Sequence, residues 1–200
     1  MTKHVGFLGK PGEKDPVRPP FVVGRISAAV RARVEQVRLV GLDVDGVMTD
    51  GRLHYHDDGT ESKAFDVRDG HGIKMLQRGD IQLAVISGRK SPCVEKRAQD
   101  LGITYIRQGI GNKVEILEQI LSQEGLTFQQ SAFLGDDLVD LPVMSMVGLA
   151  VAVADASEYL LERAHYVTVS PGGRGAVREV AELILAVQEK WNTVAGPYFA

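Results

Sequence analysis

The sequence predicts an α/β fold, a three-layer sandwich in which helices cover both faces of a mostly parallel β-sheet. Apolar runs at residues 37–42, 81–86 and 131–134 have no regular polar alternation, which is typical of strands buried on both faces. Segments with helical periodicity lie between these runs. The alternation of the two patterns favours parallel strands joined by helices.

Length and composition describe a single globular domain. The chain has 200 residues, 44% of them hydrophobic, which is enough for a sizeable core. A net charge of -3 gives no reason to expect nucleic acid or a membrane surface as a partner. Cys93 is the only cysteine, which excludes a disulfide framework, and no apolar run suits a membrane span or a signal peptide. We therefore expect a cytoplasmic protein.

The remaining elements are predicted in chain order. Residues 1–24 are rich in Gly, Pro and charge and are expected to form a mobile arm, with one domain at 25–200. Residues 25–36 fit a short helix, and residues 52–67 fit a projecting β-hairpin, which needs something to pack against. Further helices are predicted at 69–78, 91–100, 113–123, 141–146, 156–163 and 176–191, and further strands at 103–106, 149–153 and 166–169.

Polar residues lie where the predicted strands end, at the edge of a parallel sheet where ligands bind. Two carboxylates packed this closely repel each other unless a cation lies between them, so the pair after the first strand predicts a divalent metal site. A lysine that begins a helix adds positive charge for an anion. These residues are Asp43, Asp45, Ser87, Lys113 and Asp136.

This set of groups suits phosphoryl transfer. One carboxylate can attack phosphorus and form an aspartyl-phosphate, which divides hydrolysis into two steps. The other can protonate the leaving oxygen and then activate water. A hard cation held by Asp43, Asp45 and Asp136 neutralises charge, while Ser87, the following N–H groups and Lys113 hold the phosphate.

Four motifs in this order, DVDGVMTDG, ISGR, a lone lysine before a helix, and GDDLVD, resemble the haloacid dehalogenase-like phosphohydrolase superfamily. The resemblance implies a Rossmann-like sandwich with Asp43 as nucleophile and Asp45 as acid/base. It also implies that Ser87, Gly88 and Lys113 bind phosphate and that Asp136 binds the metal with a backbone carbonyl of Asp45. Supporting roles fall to Asp137 and Asp140, which orient the metal shell or the lysine. The intervals between the motifs hold no cap domain, so the site is open to solvent unless another chain covers it.

Several longer stretches, including KAFDVRDGHGIKML and RAHYVT followed by GGRGAVREV, resemble the 3-deoxy-D-manno-octulosonate 8-phosphate (KDO 8-phosphate) phosphatases over roughly residues 37–190. That resemblance implies a capless, Mg2+-dependent homotetramer of lipopolysaccharide biosynthesis, in which the hairpin and C-terminal tail complete neighbouring sites. Lys74 stands where the family commonly has arginine, which weakens the expectation of a bidentate carboxylate contact there. The residues implied to bind a sugar acid phosphate are Asp45, Asp66, Val67, Arg68, Asp69, Gly70, Lys74, Arg89, Arg97 and Lys113.

Three alternatives remain beside this interpretation. A nonulosonate 9-phosphate phosphatase would carry nearly the same motifs, and the sequence does not separate the two substrates. A response-regulator receiver also combines an acidic metal site with a lysine, but Asp45 is placed to activate water, which argues against retention of the phosphoryl group. A non-catalytic oligomerising homologue is expected to lose a catalytic residue, and all of them are present.

Overall fold

A computed structural model describes Gly24 and residues 26–199 of the chain. The predicted N-terminal arm, except Gly24, therefore lies outside the described residues. The strands are β1 Leu39–Leu42, β2 His54–Tyr55, β3 Glu61–Ser62, β4 Gln82–Ser87, β5 Tyr105–Gln108, β6 Ser131–Gly135, β7 Leu149–Ala152 and β8 Tyr166–Val167. The helices are α1 Ala28–Gln36, α2 Val67–Arg78, α3 Pro92–Asp100, α4 Lys113–Glu124, α5 Leu141–Met144, α6 Glu158–Leu161, α7 Ala176–Val187 and α8 Trp191–Ala195.

Six strands form one sheet in the order β5-β4-β1-β6-β7-β8, and all neighbouring pairs are parallel. The predicted fold class is confirmed. Strand β1 lies in the interior of the sheet between β4 and β6, and all four of its residues are buried. The apolar runs without alternation are thus explained by cover on both faces.

Helices occupy both faces of the sheet. Along the chain the strands step from β1 to β5 in one direction and then from β6 to β8 in the other. Because parallel crossovers are right-handed, α2 and α3 lie on one face and α4 and α5 on the opposite face. Helix α7 returns to pack on α2 and α1, which completes the first face. Among the described residues, no helix is long and apolar enough to cross a membrane.

Several element boundaries differ from the predicted ones. Helix α2 begins at Val67, before the predicted start at 69, because the Asp66 carboxylate accepts the Arg68 N–H at 2.6 Å and caps the helix. Strand β5 begins at Tyr105 instead of 103. The predicted helix over 176–191 ends earlier, at Val187, because the chain leaves the helical conformation by Glu189, which has a φ of 59°, and a separate helix α8 begins at Trp191.

The hairpin is present and short. Strands β2 and β3 pair antiparallel, with His54 opposite Ser62 and Tyr55 opposite Glu61, and form a sheet separate from the main one. The Tyr55 residue is 65% exposed. A two-stranded ribbon of this length has little stability of its own, so its attachment to the domain depends on side-chain contacts at its base.

The C-terminal tail contacts its own chain. Trp191 is partly buried and packs against the core. The Tyr198 hydroxyl lies 3.0 Å from His71 Nε2 and also accepts a hydrogen bond from Arg78, both on α2. The predicted docking of the tail on a partner subunit stays a prediction. Trp191, one of its aromatic residues, packs mainly against the core of its own chain.

Candidate active site

The loop after β1 carries the first two aspartates. The Asp43 N–H donates to the Leu134 carbonyl at 3.1 Å, so the hydrogen bonding between β1 and β6 continues to this residue. Three consecutive N–H groups, at residues 47–49, donate to the Val44 carbonyl at 2.9 to 3.2 Å. The loop is therefore a tightly bonded turn, and both carboxylates start from a fixed backbone.

Gly46 brings this turn against the end of β6. Its φ is +90°, a conformation that favours glycine. A Cβ atom at this position would lie 2.0 Å from Asp136 Oδ2. The absence of a side chain thus allows the first aspartate loop and Asp136 to approach each other.

Lys113 joins two carboxylates at the centre of the site. It is the first residue of α4, and its Nζ donates to Asp43 Oδ1 at 2.7 Å and to Asp140 Oδ1 at 2.6 Å. All three residues are buried. The second oxygen of Asp140 accepts the Asp136 N–H at 3.1 Å. The Asp140 carboxylate therefore fixes Lys113 and the backbone of Asp136 together, whereas the Asp137 carboxylate accepts the Leu138 N–H at 2.7 Å.

Burial and mutual repulsion perturb these acids. Burial, then the charge of Asp140, raises the pKa of Asp43 to about 6, although Lys113 opposes the rise. Burial, followed by the charges of Asp43 and Asp140, raises the pKa of Asp136 to about 7. Burial lowers the pKa of Lys113, but the attraction of Asp43 and Asp140 outweighs it and the net shift is upward. The cluster thus holds more negative charge than one lysine neutralises.

The same cluster fits a hard divalent cation. Asp43, Asp136 and Asp140 each offer a carboxylate oxygen, and these atoms lie within 4.8 Å of one another. Oxygen ligands of this kind suit Mg2+. Asp140 accepts hydrogen bonds on both oxygens, from Lys113 and from the Asp136 N–H, which suits a supporting role better than direct ligation of a cation.

The Asp45 side chain lies between two cations. Lys63 Nζ donates to Asp45 Oδ1, and Arg89 Nε lies 3.5 Å from Asp45 Oδ2. Arg89 also donates to the Tyr55 hydroxyl and to Glu61 Oε2, each at 3.1 Å. The second aspartate is therefore tied to the base of the hairpin and is not part of the acidic cluster.

Ser87 and Gly88 follow β4 beside the first aspartate. Leu42 pairs with Val85, which places Asp43 level with the last residues of β4. Ser87 is buried, and its Oγ lies 3.4 Å from the Arg89 backbone nitrogen. The predicted phosphate-binding pair therefore lies at the same edge of the sheet as the acidic cluster.

Other predicted substrate residues gather at the start of α2. Val67 is 79% exposed, and the exposed guanidinium of Arg68 pairs with Asp66 at 3.0 Å. Arg97 on α3 donates to the Asp66 carbonyl at 3.3 Å and lies over the Phe65 ring, 5.8 Å from its centroid. Hence Arg97 supports the chain that leads into α2.

Three predicted substrate residues of α2 face other parts of the chain. The buried Asp69 carboxylate accepts the N–H groups of Gly175 and Arg178, at 3.1 and 2.8 Å, and so caps helix α7. A Cβ atom at Gly70 would lie 2.3 Å from the Arg97 guanidinium. Lys74 Nζ lies near Gly102, at the amino end of β5 and away from the acidic cluster. The Asp69 carboxylate is therefore occupied by the start of α7, and Lys74 lies beside the loop that precedes β5.

Sequence reasoning misses two features of the site. Lys63 has a buried side chain at Asp45, but its position in the predicted hairpin gives no sign of where the hairpin packs. The turn at Gly172 and Gly173 leads into α7 and also supports the aspartate loop. The Gly173 N–H donates to the Val47 carbonyl at 2.8 Å, and a Cβ at Gly172 would lie 1.6 Å from a carbonyl of that loop.

The sequence of this chain is similar to those of several known proteins. A model of haloacid dehalogenase-like hydrolases matches residues 103–179. The 3-deoxy-D-manno-octulosonate 8-phosphate phosphatase of Escherichia coli BL21 is 49% identical over 173 residues, which cover 86% of this chain and 92% of the relative. The corresponding protein of Yersinia pestis is 48% identical over a segment of the same length.

Solved structures of phosphatases from the same family have a similar fold. The Yersinia pestis phosphatase structure superposes with a TM-score of 0.81 at 49% identity, covering 82% of this chain and 89% of that one. The Moraxella catarrhalis phosphatase, solved with a magnesium ion, a phosphate ion and KDO, gives a TM-score of 0.82 at 37% identity, covering 84% and 97%. The chain described here therefore belongs to the haloacid dehalogenase-like hydrolases, within the family of the KDO 8-phosphate phosphatases.

Proposed function

We propose that this protein is a Mg2+-dependent phosphatase that hydrolyses KDO 8-phosphate to KDO and inorganic phosphate in lipopolysaccharide biosynthesis. One observation carries the proposal. A buried lysine and three carboxylates, those of Asp43, Asp136 and Asp140, meet at the carboxyl edge of β1 in a chain that is about half identical to phosphatases of this substrate.

In this mechanism Asp43 is the nucleophile. Its position directly after a buried strand holds the carboxylate in place, and a pKa of about 6 leaves it mostly ionised at neutral pH, as attack on phosphorus requires. Attack forms an aspartyl-phosphate, and Asp45 gives its proton to the leaving sugar oxygen. Asp45 then takes a proton from the water that releases phosphate.

Cationic and hydrogen-bonding groups hold the phosphate during both steps. Lys113 supplies the buried positive charge, and Ser87 with the N–H of Gly88 contacts the other oxygens. Asp43, Asp136 and a backbone carbonyl of Asp45 would hold Mg2+, which neutralises charge on the phosphate when bound. Arg89, with Asp66, Val67 and Arg68 at the start of α2, would form the side of the pocket that meets the sugar acid, and Arg97 holds that stretch in place beside Gly70. In this scheme the Asp69 carboxylate caps α7, and neither it nor Lys74 contacts the substrate.

We also propose a homotetramer in the cytoplasm. The hairpin region supports this assembly, because Tyr55 on the ribbon and Val67 just beyond it are exposed apolar or aromatic side chains that the rest of the described chain leaves uncovered. A covering subunit would close a site over which the described residues place no cap domain. Light scattering coupled to size-exclusion chromatography measures the assembly, and a monomer at micromolar concentration would contradict it.

The decisive experiment measures phosphate release from KDO 8-phosphate with Mg2+ and with EDTA, beside a panel of nonulosonate 9-phosphates and simple sugar phosphates. We expect Mg2+-dependent turnover that is highest on KDO 8-phosphate. A preference for a nine-carbon acid would keep the mechanism and change the substrate. No turnover on any member of the panel, from folded protein, would contradict the proposal and indicate a non-catalytic homologue.

Asp43→Asn tests the nucleophile separately. The amide keeps the shape of the side chain but cannot form the aspartyl-phosphate, so hydrolysis should be lost while the fold and the assembly remain. Near-normal turnover in this variant would remove Asp43 from the mechanism.

A further inference from the structure

Lys63 is buried without an obvious structural reason. Its side chain is 1% exposed, and its ammonium group donates to Asp45 Oδ1. Taking a lysine out of water is costly, and a surface ribbon could place this residue in solvent at no cost to the core. The contact between Lys63 and Asp45 is therefore a specific feature of the site and not a by-product of packing.

The two cations at Asp45 differ in how firmly they are held. The Arg89 side chain is 43% exposed, lies 3.5 Å from Asp45 Oδ2 and divides its hydrogen bonds between Tyr55 and Glu61. Lys63 is buried and Asp45 is its ion-pair partner. The position of the Asp45 carboxylate is thus set mainly by Lys63, while Arg89 remains accessible to a ligand.

Position matters for Asp45 because an acidic cluster lies beside it. Carboxylate oxygens of Asp43 and Asp136 lie within 4.8 Å of each other. Asp45 is on the same loop as Asp43, and its side chain, if free, could turn toward a cation held between those oxygens. A carboxylate bound to the cation is unable to give a proton to the leaving oxygen. An ammonium group on the other side of Asp45 opposes that rotation.

We propose that Lys63 is a positioning residue that holds the Asp45 carboxylate outside the metal cluster and aims it at the leaving oxygen. The inference rests on the proposed function, in which Asp45 is the acid/base. In the first step the bond from phosphorus to the leaving oxygen breaks as the bond to Asp43 forms, and Asp45 transfers its proton to that oxygen. In the second step a water oxygen bonds to phosphorus, the bond from phosphorus to Asp43 breaks, and Asp45 regains a proton from that water.

The leaving group provides the test. An alkoxide needs a proton as it departs, whereas a nitrophenolate leaves readily without one, so loss of an aimed acid affects alkyl phosphates selectively. We compare kcat/KM of wild type and Lys63→Met on alkyl and aryl phosphates. These substrates carry no carboxylate, so an effect of the substitution cannot come from a lost contact between Lys63 and the sugar acid carboxylate. We expect a loss of about 100-fold on alkyl phosphates and less than about 3-fold on nitrophenyl phosphate.

Two further variants control for folding and charge. Lys96→Met removes an exposed lysine from α3 and should leave both substrates unaffected. Lys63→Arg keeps a cation beside Asp45 and should retain at least about a tenth of wild-type activity on alkyl phosphates. An equal loss on alkyl and aryl phosphates, or no rescue by arginine, would overturn the positioning role, as would unchanged activity in Lys63→Met.

A double variant separates the inference from the proposed function. Asp45→Asn alone should show the same selective loss on alkyl phosphates, which tests the acid/base role independently of Lys63. If Lys63 acts through Asp45, adding Lys63→Met to Asp45→Asn lowers kcat/KM no further. Losses that multiply would overturn the inference while the acid/base role stands. Absence of selectivity in Asp45→Asn would overturn both.

Discussion

Gly46→Ala should damage the metal site more than the fold. An added Cβ would lie 2.0 Å from Asp136 Oδ2, whereas ordinary contact begins at 3.4 Å, so that oxygen must move by about 1.4 Å, the difference of the two values. Asp136 is one of the two carboxylates proposed to hold Mg2+. The substitution would therefore reach a proposed metal ligand through van der Waals contact.

Two effects of different size follow from this geometry. A non-glycine residue at a φ of +90° costs about 1 to 2 kcal/mol of folding free energy. Displacement of a catalytic group by about 1 Å lowers the rate by about 100-fold. We expect turnover to fall by that factor and the Mg2+ concentration for half-maximal activity to rise, while the protein stays folded.

Gly51→Ala is the matched control. Gly51 lies on the same loop with a φ of +76°, but a Cβ there meets no atom closer than 3.5 Å. The two variants should lose similar stability in urea denaturation, and only Gly46→Ala should need a higher Mg2+ concentration for half-maximal activity. Equal Mg2+ dependence and equal turnover in the two variants would refute the role assigned to the contact with Asp136.

Two other predictions concern charge and capping. The pKa values of Asp43 and Asp136 are raised from 3.8 to about 6 and about 7. The metal-free fold therefore loses stability as the pH rises from 3.8 to about 7. Above that pH both carboxylates are ionised, so Mg2+ no longer competes with protons for them. Mg2+ should therefore raise Tm more at pH 8 than at pH 5.5, and equal shifts would contradict this. Asp69→Ala leaves two N–H groups of α7 without their acceptor and should cost about 1 to 3 kcal/mol in urea denaturation. An unchanged denaturation midpoint with a raised KM would instead favour Asp69 as a substrate ligand.

Much of the fold is predictable because its signals are local. Buried parallel strands appear as apolar runs, and the residues at their carboxyl ends must share one edge of the sheet. For this reason the amino-acid sequence alone is enough to group Asp43, Ser87, Lys113 and Asp136. The supporting role of Asp140 also agrees with its hydrogen bond to Lys113.

The remaining details depend on contacts between distant segments. The Asp69 carboxylate caps α7, which begins more than a hundred residues later, and no local pattern specifies that partner. Lys63 lies at the end of a ribbon whose docking depends on side chains of other segments. Lys74 lies on α2, and the face of that helix that meets the site is set by its packing on α7, a contact that no local pattern specifies.

The attachment of Asp43 to the central strand has a consequence for inactivation. Asp43 is hydrogen-bonded to β6 at the end of β1, so it cannot lose its position unless the interior of the sheet opens. Opening of core strands requires a free energy close to that of global unfolding. The nucleophile should thus persist until global unfolding. The hairpin, held by a few side chains, belongs to a less protected unit and can open earlier. On heating, activity that depends on the hairpin should decline before the near-ultraviolet signal of the core does.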